Sequence, residues 1–270
     1  VHSSFSVVIP TLNEAANLAE LLPQLAAQSR PPLEVLVADA GSPDGTAGVA
    51  AELGARLVPG GRPGLGRNNG ARQARGDWLF FLDADSRLPE DRFAERVLED
   101  LDRQSVQAAV CDCAPYYRPG DKGYARPGLQ RWDRFMMRTQ SRGQRFWLRR
   151  GFPVGTCQFL ATRREAFWRL GGFDSRVEPF EDSEYLLRVH RSLAPAQGRP
   201  SSVGVLDPEL FVYVSMRRFD AKGHYFFPLR LSIQSVLLRY LLRRELPMPS
   251  YWEVNDRGFG PQARGGDRAG

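Results

Sequence analysis

Cysteine is scarce in this 270-residue chain, long uninterrupted apolar runs are absent, and no internal repeat occurs. Three cysteines, Cys111, Cys113 and Cys157, are too few and wrongly spaced for a zinc site, and an odd number argues against a disulfide framework. No stretch reaches the roughly 18 uncharged apolar residues of a membrane span. The opening VHSSFSVVIP lacks the basic region and long apolar stretch of a secretory signal. A reducing cytoplasm is the expected setting, with the inner face of a membrane as a possible station there. No recognised nucleic-acid motif is found.

What is present is a globular composition, 42% hydrophobic, with a formal net charge of +6 that points to an anionic partner. The basic residues are concentrated: between Tyr116 and Arg150 the chain carries ten of them against Asp121 and Asp133, interleaved with Tyr117, Tyr124, Trp132, Phe135, Phe146 and Trp147. Such a segment reads as solvated helix faces, as an acceptor site for a phosphorylated or lipid-linked molecule, or as a nucleic-acid groove. The acceptor reading is favoured, and no nucleic-acid partner is expected.

The first third alternates two patterns. FSVVIP, LEVLVAD, ARLVP and DWLFFLD read as strands. NEAANLAELLPQLAAQ (capped by Asn13, with Pro23 as a kink), DGTAGVAAELG and GRNNGARQARG read as helices. This rhythm predicts an α/β fold with a mainly parallel central sheet and helices on both faces, whose ligands bind at the carboxyl ends of the strands. Further on, a helix over 90–101, a strand VQAAVCD, a strand-helix-turn over TCQFLATRREAFWRLGGFD and a helix in EPFEDSEYLLRVH are expected. The chain is expected to form one domain over 1–258, divided into 1–110, 111–222 and a C-terminal amphipathic helix at 223–246, with 259–270 a disordered tail. That last helix has a wide apolar arc, which packing against the domain, a second subunit in a homodimer, or a lipid surface would cover.

WLFFLDADSRLP sets the chemical question. Two carboxylates, Asp83 and Asp85, follow a strand apolar enough to be buried on both faces. So close a pair calls for a positive neighbour, and the hard cations that prefer oxygen ligands are Mg2+ and Mn2+. A plain aspartate-rich turn is the competing account. Other expected strand ends carry Pro10, Thr11, Asn13 and Glu14, then Asp39, Gly41, Ser42 and Asp44. Arg67 and Asn68 open a helix after a glycine-rich run, where amides and a cation could meet phosphate. His224 is a candidate third metal ligand, with a structural role placed ahead of it. Gly155, Thr156 and Gln158 are candidates for an acceptor loop, while Cys157 reads as a buried apolar residue.

SVVIPTLNEAANL, VADAGSPDGT, GRNNGARQARGDWLFFLDAD, GGFD and FEDSEYLLR occur in the order and at about the spacing of the family 2 glycosyltransferases with the GT-A fold, which the chain resembles over about residues 5–192. The resemblance implies inverting transfer of a sugar from a nucleotide-sugar donor with a divalent metal. It places Asp83 and Asp85 in the metal and diphosphate motif; of the two, Asp85 is the better direct ligand and Asp83 the better partner for the donor's ribose or for the groups that ligate the metal. Thr11, Glu14 and Asp39 lie around the nucleoside, Arg67 reaches the donor, and Asp182 is the catalytic base, with its neighbour Glu181 the alternative. Ala40 stands where many members have a second aspartate, and UDP is expected ahead of GDP. SMRRFDAKGH loosely resembles a late segment of some members. The rival accounts are a nucleotidyltransferase, which would release pyrophosphate, and a non-catalytic protein that binds a nucleotide sugar or nucleic acid.

Overall fold

The computed structural model of the protein describes residues 3–148, 150, 158–175, 177, 181–198 and 201–224. The expected acceptor residues Gly155 and Thr156, with Cys157, lie outside the described residues, as does the chain from 225 on, with nearly all of the expected C-terminal helix and the tail.

The apolar runs of the first third become β1 (Phe5–Thr11), β2 (Glu34–Asp39), β3 (Arg56–Pro59) and β4 (Trp78–Leu82), parallel neighbours in the order β3-β2-β1-β4. Alternate residues serve opposite faces, as the two-residue period of a strand requires. Phe5, Val7 and Ile9 of β1 and Trp78, Phe80 and Leu82 of β4 face one core, while Val8, Leu79 and Phe81 face the other. The first core is closed by α1 (Ala15–Ala26), α2 (Thr46–Glu52) and α4 (Phe93–Gln104); the second by α3 (Pro63–Gln73), α6 (Arg164–Arg169) and α7 (Glu181–Ser192). Helices therefore cover both faces, and α3 sits close: a Cβ on Gly70 would lie 2.3 Å from Val8 Cγ1.

The sheet continues beyond β4 with β8 (Phe159–Arg163), β6 (Ala108–Val110) and β9 (Val203–Val205), and β8 alone runs against its neighbours. The expected single strand VQAAVCD is two elements. After β6 the chain leaves the large sheet at Cys111 and enters β7 (Asp112–Tyr116), part of a three-stranded sheet in which β10 (Phe211–Ser215) lies between β7 and β5 (Ser86–Arg87). The basic segment forms α5 (Pro127–Leu148), and α8 (Arg217–Lys222) follows β10 directly.

Two expected boundaries move for local reasons. Asn13 does not cap α1: its backbone is left-handed, φ 58°, and the cap position falls to Glu14 without a side-chain bond. The first amides are satisfied from the next loop instead, where Ser42 Oγ accepts from Asn13 N (2.8 Å), Thr46 Oγ1 from Glu14 N (2.9 Å) and Asp44 Oδ2 from Ala15 N (3.1 Å). Helix α3 starts at Pro63, earlier than expected, because proline has no amide to lose in a first turn and a pre-set φ. Among the described residues no helix is long and apolar enough to cross a membrane.

Candidate active site

The carboxyl ends of β1, β2 and β4 open on one edge of the sheet. At β2, Asp39 organises the loop after it: Oδ2 accepts from the amides of Gly41 (3.2 Å) and Ser42 (2.9 Å), and Oδ1 from the hydroxyls of Thr11 (3.1 Å) and Ser42. Pro10 and Thr11 end β1 buried beside it. Asn13 Oδ1 is buried and has no hydrogen-bond partner among the described residues. Its left-handed backbone, tolerable for asparagine at a cost in sterics, turns the chain sharply at this edge.

At β4 the aspartate pair divides between two arginines. Arg67 of α3 is buried and lies between carboxylates from distant parts of the chain: Nη2 donates to Asp83 Oδ1 at 2.8 Å, and Nη1 donates to Glu181 Oε1 at the start of α7. Burial pushes the Asp83 carboxyl upward in pKa, against the pull of Arg67 and Arg218 and with the repulsion of Asp85. Asp85 is only 2% exposed, and among the described residues neither carboxylate oxygen accepts a hydrogen bond; its electrostatic partner is Arg217, with Nε 3.3 Å from Oδ2. Arg217 also pairs with Glu14, whose carboxyl is raised chiefly by burial. Arg217 is therefore a part of the site that sequence reasoning missed as a residue. Its only signal was the doubled arginine of SMRRFDAKGH, and the parallel β10–β7 pairing is what brings it here.

Buried polar groups are normally hydrogen-bonded, and the oxygens of Asp85 and Asn13, with that of Gln158, accept no hydrogen bond among the described residues. Gln158 is adjacent to the aspartates through its carbonyl, which accepts from Asp83 N at 3.2 Å. Among the described residues no group of three or more His, Cys, Asp and Glu side chains could enclose a metal by themselves. Two carboxylates still suit Mg2+ or Mn2+ in a nucleotide site, where substrate phosphates and water supply the remaining oxygens.

Two candidate residues are held by partners within the protein, Asn68 against the donor role expected of it and His224 in keeping with the structural role placed first. Asn68 does not face this edge with its amide: Nδ2 donates to Phe173 O (2.8 Å) and Oδ1 accepts from Phe173 N (2.9 Å), fastening α3 to the GGFD turn. His224 offers no nitrogen to a metal. Its Nδ1 faces Asp133 Oδ1 at 2.9 Å and its Nε2 faces Asp220 Oδ1 at 2.7 Å, in a buried network that Tyr117 joins by donating to Asp133 Oδ2 at 2.6 Å. Burial, its hydrogen bond and the charge of Asp133 push the Tyr117 hydroxyl far up.

A model of the family described as Glycosyl transferase family 2 matches residues 6–171. A PGL/p-HBAD biosynthesis glycosyltransferase of Mycobacterium bovis is 32% identical over 152 residues, 43% of this chain and 59% of that protein. An uncharacterized glycosyltransferase of Haemophilus influenzae is 24% identical over 188 residues, 68% of this chain and 61% of that protein. The chain thus spans about three fifths of the length of these relatives. Among solved structures, the mannosyltransferase PcManGT from Pyrobaculum calidifontis, in complex with GDP-Man and Mn2+, superposes with a TM-score of 0.61 at 21% identity over 94% of this chain and 68% of that one. TarS 1–349 of S. aureus in complex with UDP does so with 0.53 at 19% over 87% and 65%. The architecture is the GT-A fold.

Proposed function

The chain belongs to glycosyl transferase family 2, and from that premise we propose that it moves a hexosyl group from a nucleoside-diphosphate sugar to an acceptor hydroxyl or phosphate in one inverting displacement. The observation that carries this reading is the Asp85 carboxylate, buried just after β4 with no hydrogen bond to either oxygen among the described residues, beside the polar ends of β1 and β2.

In this reading Pro10, Thr11, Asn13 and Glu14 form one wall of the nucleoside pocket, and the Gly41–Ser42 loop held by Asp39 forms the other. Asp85 and Asp83 hold Mn2+ or Mg2+. The metal, when bound, neutralises charge on the departing diphosphate. Arg67 holds Asp83 in place and adds a buried positive charge at the donor. Glu181 is engaged by that guanidinium in an ion pair, which commits its carboxylate to positioning the arginine. We therefore assign proton acceptance to Asp182, with Gln158 on the acceptor side. As the acceptor O–H gives its proton to Asp182, the new O–C1 bond forms and the C1–O bond to phosphate breaks, releasing a nucleoside diphosphate. UDP is placed ahead of GDP.

The test is a screen of UDP- and GDP-sugars for thermal stabilisation with and without manganese, repeated on Asp85→Ala. Metal-dependent stabilisation by one nucleotide series, lost in a folded Asp85→Ala protein, is the expected result. Stabilisation that persists unchanged in the variant overturns the metal assignment.

A further inference from the structure

Helix α5 has two unlike sides. Asp133, Met137, Gln144 and Leu148 are its buried residues, and at 100° per residue they fall within about 60° of the circumference. Arg131, Arg134, Phe135, Arg138, Arg142 and Phe146 are all exposed and fall within about 120° on the far side. Phe135 is 59% and Phe146 46% exposed, and Trp147 beside them is 38% exposed. Among the described residues, Arg145, which pairs with Asp112, is the one arginine of α5 in an ion pair with a carboxylate. The sole acidic residue of the helix, Asp133, is turned inward. At the helix end Arg150 lies 3.6 Å from the centre of the Phe146 ring.

A solvated helix normally intersperses acids with its bases, for solubility and for i,i+4 pairing. Here the outer stripe has one sign of charge and places phenylalanines among the arginines, a combination that water does not reward. An anionic surface with an apolar layer beneath satisfies both: guanidiniums meet phosphate headgroups and aromatic rings enter the acyl boundary. Single-stranded nucleic acid also takes arginine with aromatics, but its sites are grooves that track the strand. This stripe is the convex back of a helix.

We propose that α5 is a docking surface for an anionic lipid bilayer, on which the helix lies in the plane of the interface. The inference does not depend on the sugar-transfer reading, and it concerns residues outside the candidate active site.

The experiment is sedimentation of the full chain with phosphatidylcholine vesicles, with and without phosphatidylglycerol, at low and physiological salt. Three proteins are compared: wild type, Arg131→Glu/Arg138→Glu and Phe135→Ser/Phe146→Ser. All four positions are exposed, so unfolding temperature and manganese-dependent nucleotide binding should stay unchanged. Wild type should bind phosphatidylglycerol vesicles and release them as salt rises. Losing two basic contacts should weaken partitioning by about 30-fold or more, at ~1 kcal/mol per residue. The phenylalanine variant should bind more weakly at every salt. A wild type that stays in the supernatant, variants that sediment as well as wild type, or tighter binding to a single-stranded oligonucleotide than to vesicles would each overturn the proposal. Vesicle binding without nucleotide binding would leave this surface standing and remove the proposed function instead.

Discussion

Arg67 is the residue on which the site's two halves meet, because its guanidinium joins Asp83 after β4 to Glu181 at the start of α7. Removing one partner of a buried ion pair strands the other charge, so Arg67→Ala is expected to cost about 3–5 kcal/mol in denaturant unfolding at pH 7. The pH dependence follows from Asp83. Its carboxyl is already raised by burial, and losing Arg67 raises it further. A group that binds its proton more tightly folded than unfolded favours the folded state as pH falls. The deficit of Arg67→Ala should therefore shrink as pH falls from 7; a constant deficit would refute the argument. Of the two carboxylates at the head of α7, Glu181 forms an ion pair with Arg67, while Asp182 acts on the same guanidinium by its charge. Asp182→Asn should preserve stability and donor binding while transfer drops by roughly 10²-fold or more. Glu181→Gln should instead lower stability, since it loosens Arg67. Rates and unfolding curves measured on both variants distinguish a proton acceptor from a residue that positions the arginine.

Among the elements, α1 and α2 share one cap. Asp44 Oδ2 accepts from Ala15 N in the first turn of α1, and Oδ1 accepts from the amide (3.0 Å) and hydroxyl of Thr46, which opens α2. One carboxylate thus satisfies helix-end donors of two helices, and through them fixes Asn13 and Glu14 at the sheet edge. Capping is worth roughly 1 kcal/mol per helix end, so Asp44→Ala should cost on the order of 1–2 kcal/mol and weaken nucleotide binding. Asp44→Asn should do less. Burial, the largest influence on the Asp44 carboxyl, raises its pKa, but the bonds from Thr46 and Ala15 prevail and hold it below its ordinary value. Its charged form contributes stability above about pH 4, and that contribution disappears as pH falls through the lowered value. The gap in melting temperature between wild type and Asp44→Asn should therefore close in acid.

For the whole molecule, the passage between the two sheets is the informative region. Cys111 makes the step from β6 to β7 and Cys113 lies in β7, and burial pushes the Cys113 thiol up to about 12 and the Cys111 thiol well above its usual value. At pH 8 the reactive thiolate of Cys113 is then on the order of 10⁻⁴ of the total, so neither residue should react with a disulfide reagent while the sheets are joined. In a Cys157→Ser background, labelling of both should follow global unfolding and share its denaturant midpoint. Labelling well before that midpoint would show the small sheet opening on its own. The small sheet joins the large one at the site itself: Asp85 lies in the turn between β4 and β5, and Ser215 N of β10 donates to its carbonyl. Arg217 therefore reaches Asp85 only when both sheets are in place.

The alternating β and α segments, the mostly parallel sheet and the strand-end positions of Thr11, Asp39, Asp83 and Asp85 were legible in the sequence. These features follow from hydrophobic period and from turn residues a few positions away. The helix caps, the role of Arg67 and the identity of its second partner were not. Asp44 and Ala15 are 29 residues apart, and Arg67 and Glu181 are 114 apart. No local pattern encodes such a bond, since chain reversals bring its two ends together. For the same reason Asn68 and His224, plausible ligands by residue type, were claimed by Phe173, Asp133 and Asp220 once the chain was folded. The sequence by itself determined which chemistry could stand at the sheet edge. Tertiary structure decided which of those polar groups remained open to a ligand, because burial forces every polar atom that can find a partner within the protein to take it.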